Sequence, residues 1–181
     1  TDGAEVRNLT VIGSIEGYAY CGGIVGRAVD TEISGCTNGV FIFCQNNYIG
    51  GIAGELSGDS RILNCSNTSN VLGNGIVGGI AGQVSGNITI SGCTNAGKIS
   101  HQSPGGGIVG IVSGGESTLI ENCANTGNVG GTARSGGIAG TVASSLTVEN
   151  TYNTGDISSG RGPGGTPAYA GGIAAYVGSP L

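Results

Sequence analysis

Methionine and tryptophan are absent from this chain, histidine occurs once, and Lys plus Arg number 6 against 11 Asp plus Glu. The net charge of -5 at pH 7 argues against nucleic acid or an anionic membrane surface as partner. No apolar run approaches the ~20 residues a membrane helix needs, so this segment is expected not to insert into a membrane. Charged residues make up 9% and apolar residues 38%, which does not fit a disordered chain. Proline is scarce at 4 residues, and glycine follows no G-X-Y period, so collagen is excluded. Glycine itself is abundant, 40 of 181 residues, about three times its usual share. Those glycines must punctuate something regular.

They mark an internal repeat. The segment GGI[VA]G starts at Gly22, Gly50, Gly78, Gly106 and Gly136, and a sixth copy at Gly171 reads GGIAA, ending on Ala175. The steps are 28, 28, 28, 30 and 35 residues. A second track, reading ISGCTN, ILNCSN, ISGCTN, IENCAN and VENTYN, runs in phase. It centres on Cys36, Cys65, Cys93, Cys123 and Thr151, and two residues later always carries Asn: Asn38, Asn67, Asn95, Asn125 and Asn153. A third track is a Gly-x-[IV] step with its apolar residue at Ile15, Val71, Ile99, Val129 and Ile157, and Ile42 as the equivalent in the second copy.

Each repeat therefore holds three short β-like segments separated by Gly/Asn/Ser turns. A helix is disfavoured, because Gly costs ~1 kcal/mol per position relative to Ala. Alternation assigns Ile24, Gly26 and Ala28, with their equivalents, to an inner face. Arg27, Glu55, Gln83, Ile111, Thr141 and Tyr176 fall on a mixed, solvated face. The row Val25, Ala53, Ala81, Val109, Ala139 and Ala174 reads as a flat outer strip: plain surface, a packing face, or a contact strip for a glycan or protein.

One such repeat cannot bury its apolar face alone, but stacked copies can, each pairing with the next at ~4.8 Å. The expected fold is all-β: a right-handed parallel β-helix, a three-strand β-solenoid of about six coils of ~28 residues, its hand following from the crossover rule. Inward Gly lets facing walls approach or bends a corner. The Asn row suggests a ladder of amides bonding coil to coil, and Asn also tolerates the left-handed conformation of a tight corner. Residues 1–181 read as a single domain, with 158–181 a degenerate last coil or cap. The opening TDGAEVRNLT shows no secretory signal and the closing VGSPL no anchor. Both ends cut into the repeat, so the chain is expected to be excised from a longer protein.

The recurring G-I-[VA]-G followed by an N-C-x-N-x-G turn resembles the GLUG motif repeat of bacterial cell-surface proteins, found in adhesin-like proteins and in the non-catalytic region of IgA-cleaving metalloproteases. The resemblance covers nearly the whole chain and implies a secreted or wall-attached location and a repetitive, non-catalytic role. It implies little about ligand.

Cys36, Cys65, Cys93 and Cys123 occupy equivalent positions and should form an inward ladder. In-register side chains point the same way, which favours stacked free thiols over bridges. Four thiolates in a line do not make the tetrahedron zinc wants. Cys21 and Cys44 lie off the ladder near one corner. A disulfide between them is open: an oxidising exported setting would form it, a reducing host would leave thiols.

His101, the lone histidine, reads as an exposed polar turn residue. The GGG at Gly105–Gly107 lacks the Lys-Ser/Thr and helix of a phosphate loop. Glu121 and Glu149 occupy equivalent positions and should lie side by side on an outer face. That is a weak candidate metal pair and the spacing of a retaining glycosidase, but it has no aromatic platform or third acid, so a solvated acidic pair is favoured. The triplets at Asn8, Asn64, Asn67 and Asn87 read as turn chemistry. No catalytic residue and no cofactor is expected.

The leading expectation is thus a non-catalytic structural or adhesive module, a rigid stalk or display surface, located outside the cell. Its partner is not legible; a host glycan or protein is the fitting class. The competing readings are a β-helical polysaccharide lyase or hydrolase, which would interrupt its coils with long loops, and an ice-binding solenoid. Only Phe41–Tyr48 and Ser158–Ala170 deviate from the repeat, and Thr89, Thr118 and Thr147 are too scattered for an ice-binding array.

Overall fold

The computed structural model describes residues 3–114, 117–162 and 168–178. Short strands follow one another without a helix among the described residues, and every strand pairing is parallel: two sheets of 10 strands and one of 6 wrap around a common axis. Six coils result, spanning residues 4–29, 31–57, 60–85, 88–113, 117–142 and 145–177. The chain is a three-sheet β-solenoid.

Register shows how the sequence does this. One column of paired residues runs Val6, Ile33, Ile62, Ile90, Ile120, Val148. Another runs Ile15, Ile42, Val71, Ile99, Val129, Ile157. The inner four of each are fully buried, so the β-branched residues that favour extended backbone are also the ones the stack removes from water, at about 1.5–3 kcal/mol apiece. The second coil continues the pattern through a single strand, Thr37–Cys44, where later coils split the same sheet into two pieces. Phe41 therefore lies within a strand and does not begin a loop.

The interior is divided into two columns of core. One gathers Ile33, Leu56, Ile62 and the free cysteines; the other gathers Cys21, Ile42, Cys44, Ile49 and Val71. Between them the wall of one sheet meets the Asn row directly. A Cβ placed on Gly51, Gly79, Gly107 or Gly137 would collide with the side chain of Asn67, Asn95, Asn125 or Asn153 and with the next glycine's carbonyl. A Cβ on Gly54, Gly82 or Gly110 would strike backbone of the short third-sheet strands. Glycine is used because two backbones, or a backbone and an amide, occupy the space a side chain would need.

Three expectations need correction. The row Val25, Ala53, Ala81, Val109, Ala139 and Ala174 is not an outer strip: its four central members are fully buried, and Val25 and Ala174 pack against the same core. The cause is a break in alternation at the corner. Ile52 N–H and Ala53 N–H both donate to Ile80 O, at 2.9 and 3.0 Å, and the same doubled bond recurs at Ile80/Ala81, Ile108/Val109 and Ile138/Ala139. Two successive N–H groups share one carbonyl there, the strict two-residue alternation lapses, and both side chains turn inward. The opposite row is only partly solvated: Glu55 and Thr141 are buried, and Arg27 Nε lies 2.8 Å from Glu55 Oε2.

The left-handed corner, finally, is not at the ladder asparagines. It lies at the residue before the cysteine, where Gly35, Asn64, Gly92 and Asn122 have φ of 61°, 52°, 65° and 52°. Asn8 and Asn150 take the same conformation in the end coils. Of the last coil expected over 158–181, residues 163–167 and 179–181 lie outside the described residues. Its strands at Ala170–Gly171 and Ala174–Val177 still pair in parallel with the fifth coil.

Gly82→Ala should destabilise the protein by about 2 kcal/mol or more, because backbone rather than a flexible side chain must move. Gly172→Ala, which meets nothing within 4 Å, should stay within about 0.5 kcal/mol. Urea denaturation of the two variants checks this, and equal losses would refute the close-approach argument.

Candidate functional site

The residues singled out by spacing resolve into stacked columns. Asn38, Asn67, Asn95 and Asn125 are fully buried, and each donates from Nδ2 to the Oδ1 of the next: 2.7 Å to Asn67, 2.6 Å to Asn95, 2.7 Å to Asn125 and 2.7 Å to Asn153. The second amide hydrogen goes to a carbonyl two residues on, Ser69 O for Asn67 and Gly97 O for Asn95. Such an amide is satisfied only while its neighbours stay in register, and leaving one unmet inside costs about 1–3 kcal/mol.

The cysteine column has a function that spacing did not reveal. At the left-handed corner the strand ladder lapses, and the thiol of the next coil takes its place as acceptor. Cys36 N–H, Cys65 N–H and Cys93 N–H each reach the Sγ of the following cysteine at 3.4 Å. Cys123 N–H finds Thr151 Oγ1 at 3.1 Å. Each thiol in turn donates to the carbonyl two residues back, such as Leu63 O at 3.4 Å or Glu121 O at 3.1 Å. The column thus calls for a compact group that both accepts and donates, which is why Thr151 can stand in for Cys. All four thiols are free and buried. Contact with the Cys123 and Cys65 thiols, then burial, pushes the Cys93 thiol well above its ordinary range, so it stays protonated and inert.

Cys21 and Cys44 are joined by a disulfide that ties the first coil to the second. The same two columns hold a second cross-coil link. Cys44 is in register with Gly73, His101 and Gly131, and Cys21 with Ile49, Val77, Gly105 and Ser135. His101 Nε2 meets Ser135 Oγ at 3.0 Å, and Nδ1 meets Ser103 O at 2.6 Å. The carbonyl can only accept, so Nδ1 carries the proton and Ser135 donates to Nε2.

The reading of His101 as an exposed turn residue is therefore wrong. It closes the strand Ile99–His101 and is buried at 4% exposure. Its ring fills the room left by Gly105 and Gly131, where added Cβ atoms would collide with it. Burial lowers its pKa to about 4. Aligning His101 with Cys44 in the sequence repeat would have placed it inside; isolated from its column it looks like a loop residue.

Glu121 and Glu149 do stand on adjacent rungs of an outer face, and Ser91 Oγ donates to Glu121 Oε1 at 3.0 Å. Among the described residues no group of three or more His, Cys, Asp or Glu could hold a metal ion. Thr89 and Thr147 share a column with Leu119 between them, while Thr118 sits one residue away and is buried. The threonines form no continuous array.

One full turn, from Gln45 at the corner through Tyr48–Gly50, Ala53–Leu63 and the Cys65/Asn67 corner to Leu72, matches a known family model. Residues 45–72 are a GLUG motif. Its Gly51 is pressed against the Asn ladder, and its Asn67 is a rung. The strands of these residues pair in register with those of the coils above and below. No curated protein matches the chain.

Two predictions follow from these columns. Cys93→Val removes the acceptor for Cys65 N–H and should cost about 1–3 kcal/mol, whereas Cys93→Thr should recover most of that loss; equal melting temperatures for the two would contradict the acceptor role. The folded-state pKa of His101 is depressed from 6.5 to about 4, so its contribution to stability is complete above pH 6.5. That contribution falls through the window down to pH 4, by a total of about 3 kcal/mol. Stability measured against pH should fall less steeply in His101→Leu across that window, and parallel profiles would refute the assignment.

Proposed function

We propose that this chain is a non-catalytic structural or adhesive repeat module of a secreted or cell-surface bacterial protein, acting as a rigid stalk or display surface. The observation that carries the reading is the use made of the reactive side chains. The thiols, the histidine and the buried serine are all spent on bonding one coil to the next, and the same register runs through all six coils. A stack of that kind resists bending because each coil is tied to its neighbours by sheet hydrogen bonds and by the amide ladder. The Cys21–Cys44 disulfide suits an oxidising, extracellular setting. What the surface would meet there is a host glycan or protein.

Antibody raised against the chain should label intact cells, and the purified chain should leave the viscosity of uronic-acid polymers unchanged. Loss of viscosity on incubation would overturn the non-catalytic reading, and labelling only after lysis would overturn surface display. Retention of specific sugars on a glycan array would separate adhesion from a purely mechanical stalk.

A further inference from the structure

The chain has 2 phenylalanines, and the core uses neither. Phe41 and Phe43 alternate with Val40, Ile42 and Cys44 in the strand Thr37–Cys44, and those three are buried. Both rings therefore face outward, Phe41 at 42% exposure and Phe43 partly buried. Aromatic side chains gain much from burial, so two on the outer face of one strand call for a partner. The column that holds Phe43 continues through Leu72, Ser100 and Gly130. Its side chains shrink along the axis, and the surface sinks beside the ring. Phe43, Leu72, Asn74, Ser100 and Gln102 line the resulting cavity of about 190 Å³. It lies over the second, third and fourth coils, each paired with a coil on both sides.

The polar groups of this cavity are held in place with bonding capacity to spare. Gln102 Nε2 donates to Asn74 Oδ1 at 2.9 Å, and Ser103 Oγ donates to the Asn74 carbonyl at 3.3 Å. That leaves Asn74 Nδ2 as a donor and Gln102 Oε1 as an acceptor, neither with a protein partner among the described residues. The Ser100 hydroxyl can serve as either. No Asp, Glu, Lys or Arg lines the cavity. The nearest charges in register are Glu16, one rung from Phe43, and Lys98, two residues before Ser100. An anionic ligand would need a cation here, and a purely apolar one would leave the amides unpaired. A sugar ring satisfies both kinds of group, with C–H bonds on its face and hydroxyls around its edge. The cavity is smaller than the about 300–1,000 Å³ that drug-sized ligands occupy, so it has room for one ring rather than a buried chain.

We propose that this cavity binds one uncharged pyranose ring of a glycan, its C–H face on Phe43 and its hydroxyls at Asn74, Ser100 and Gln102. Phe41, about 6.6 Å further along the strand, gives an adjoining ring a second face to rest on. The proposal rests on the reading of the chain as a display surface and names the ligand that surface takes. Glycoside hydrolysis uses a pair of carboxylates, and the cavity has none in its lining, so the ring is held and not cleaved.

Contacts to a single ring are weak, so the test presents sugars densely: an array of immobilised neutral glycans ending in hexose or N-acetylhexosamine, beside sialylated and sulfated glycans and deglycosylated glycoprotein. The chain should be retained on neutral glycans, and added salt should not release it. Phe43→Ala should weaken retention about tenfold, and Phe43→Trp should preserve it. Ser100→Lys, which fills the cavity and leaves Phe43 in place, should weaken retention as much as Phe43→Ala. Far-UV circular dichroism and melting temperature confirm that the variants keep their sheets. Retention on charged glycans alone, retention unchanged in Phe43→Ala, or no retention on any glycan would each overturn the proposal. Equal retention on deglycosylated protein would overturn it too and assign the patch to a protein partner. No retention by a chain that antibody labels on intact cells would sink the sugar site and leave display standing. Retention lost in Phe43→Ala, with labelling only after lysis, would support the site and sink display.

Discussion

The hydrogen bond from one ladder amide to the next is the constraint on which the rest of this protein depends. Asn67, Asn95 and Asn125 are fully buried, and each bonds to the asparagines one rung away as well as to a carbonyl of its own coil. A slip of one residue between coils would leave several amides unmet at once and would turn inner side chains outward. The ladder therefore fixes register more firmly than the hydrophobic columns could, since Ile on Ile tolerates sliding and an amide pair does not. The glycines follow from it: an amide against a sheet wall leaves no room for a Cβ on that wall.

The corner preceding each cysteine is the second place where the fold must meet a hydrogen-bond debt. The left-handed residue there interrupts the sheet, and a thiol or hydroxyl from the next coil answers the stranded N–H. The other core column is tied twice, by the Cys21–Cys44 disulfide and by the His101–Ser135 bond. In both links residues familiar as nucleophiles and bases are enclosed and partnered, and burial holds His101 neutral. Chemistry at these positions is traded for cohesion.

Much of this was legible in the chain. The 28-residue step, the Ile, Cys and Asn rows and the three segments per coil could be read because each is a local pattern repeated in phase, and even Ile42 could be placed by its phase alone. Less was legible at the corners. Strict alternation put Ala53 and its equivalents outside, whereas the doubled hydrogen bond to Ile80 O turns them in. It also set His101 in a turn, because a single residue with no repeat of its own gives no periodicity to read.

The sequence by itself determined that the chain is a stack of like coils, which residues share a column, and that a row of asparagines runs from coil to coil. Only the tertiary structure decided that the interior is two cores with an amide waist, that the alanine row belongs to one of them, and that the thiols serve as acceptors. The physical reason is that a column is a property of one chain repeated, while the way a corner spends its hydrogen bonds is settled between neighbouring coils.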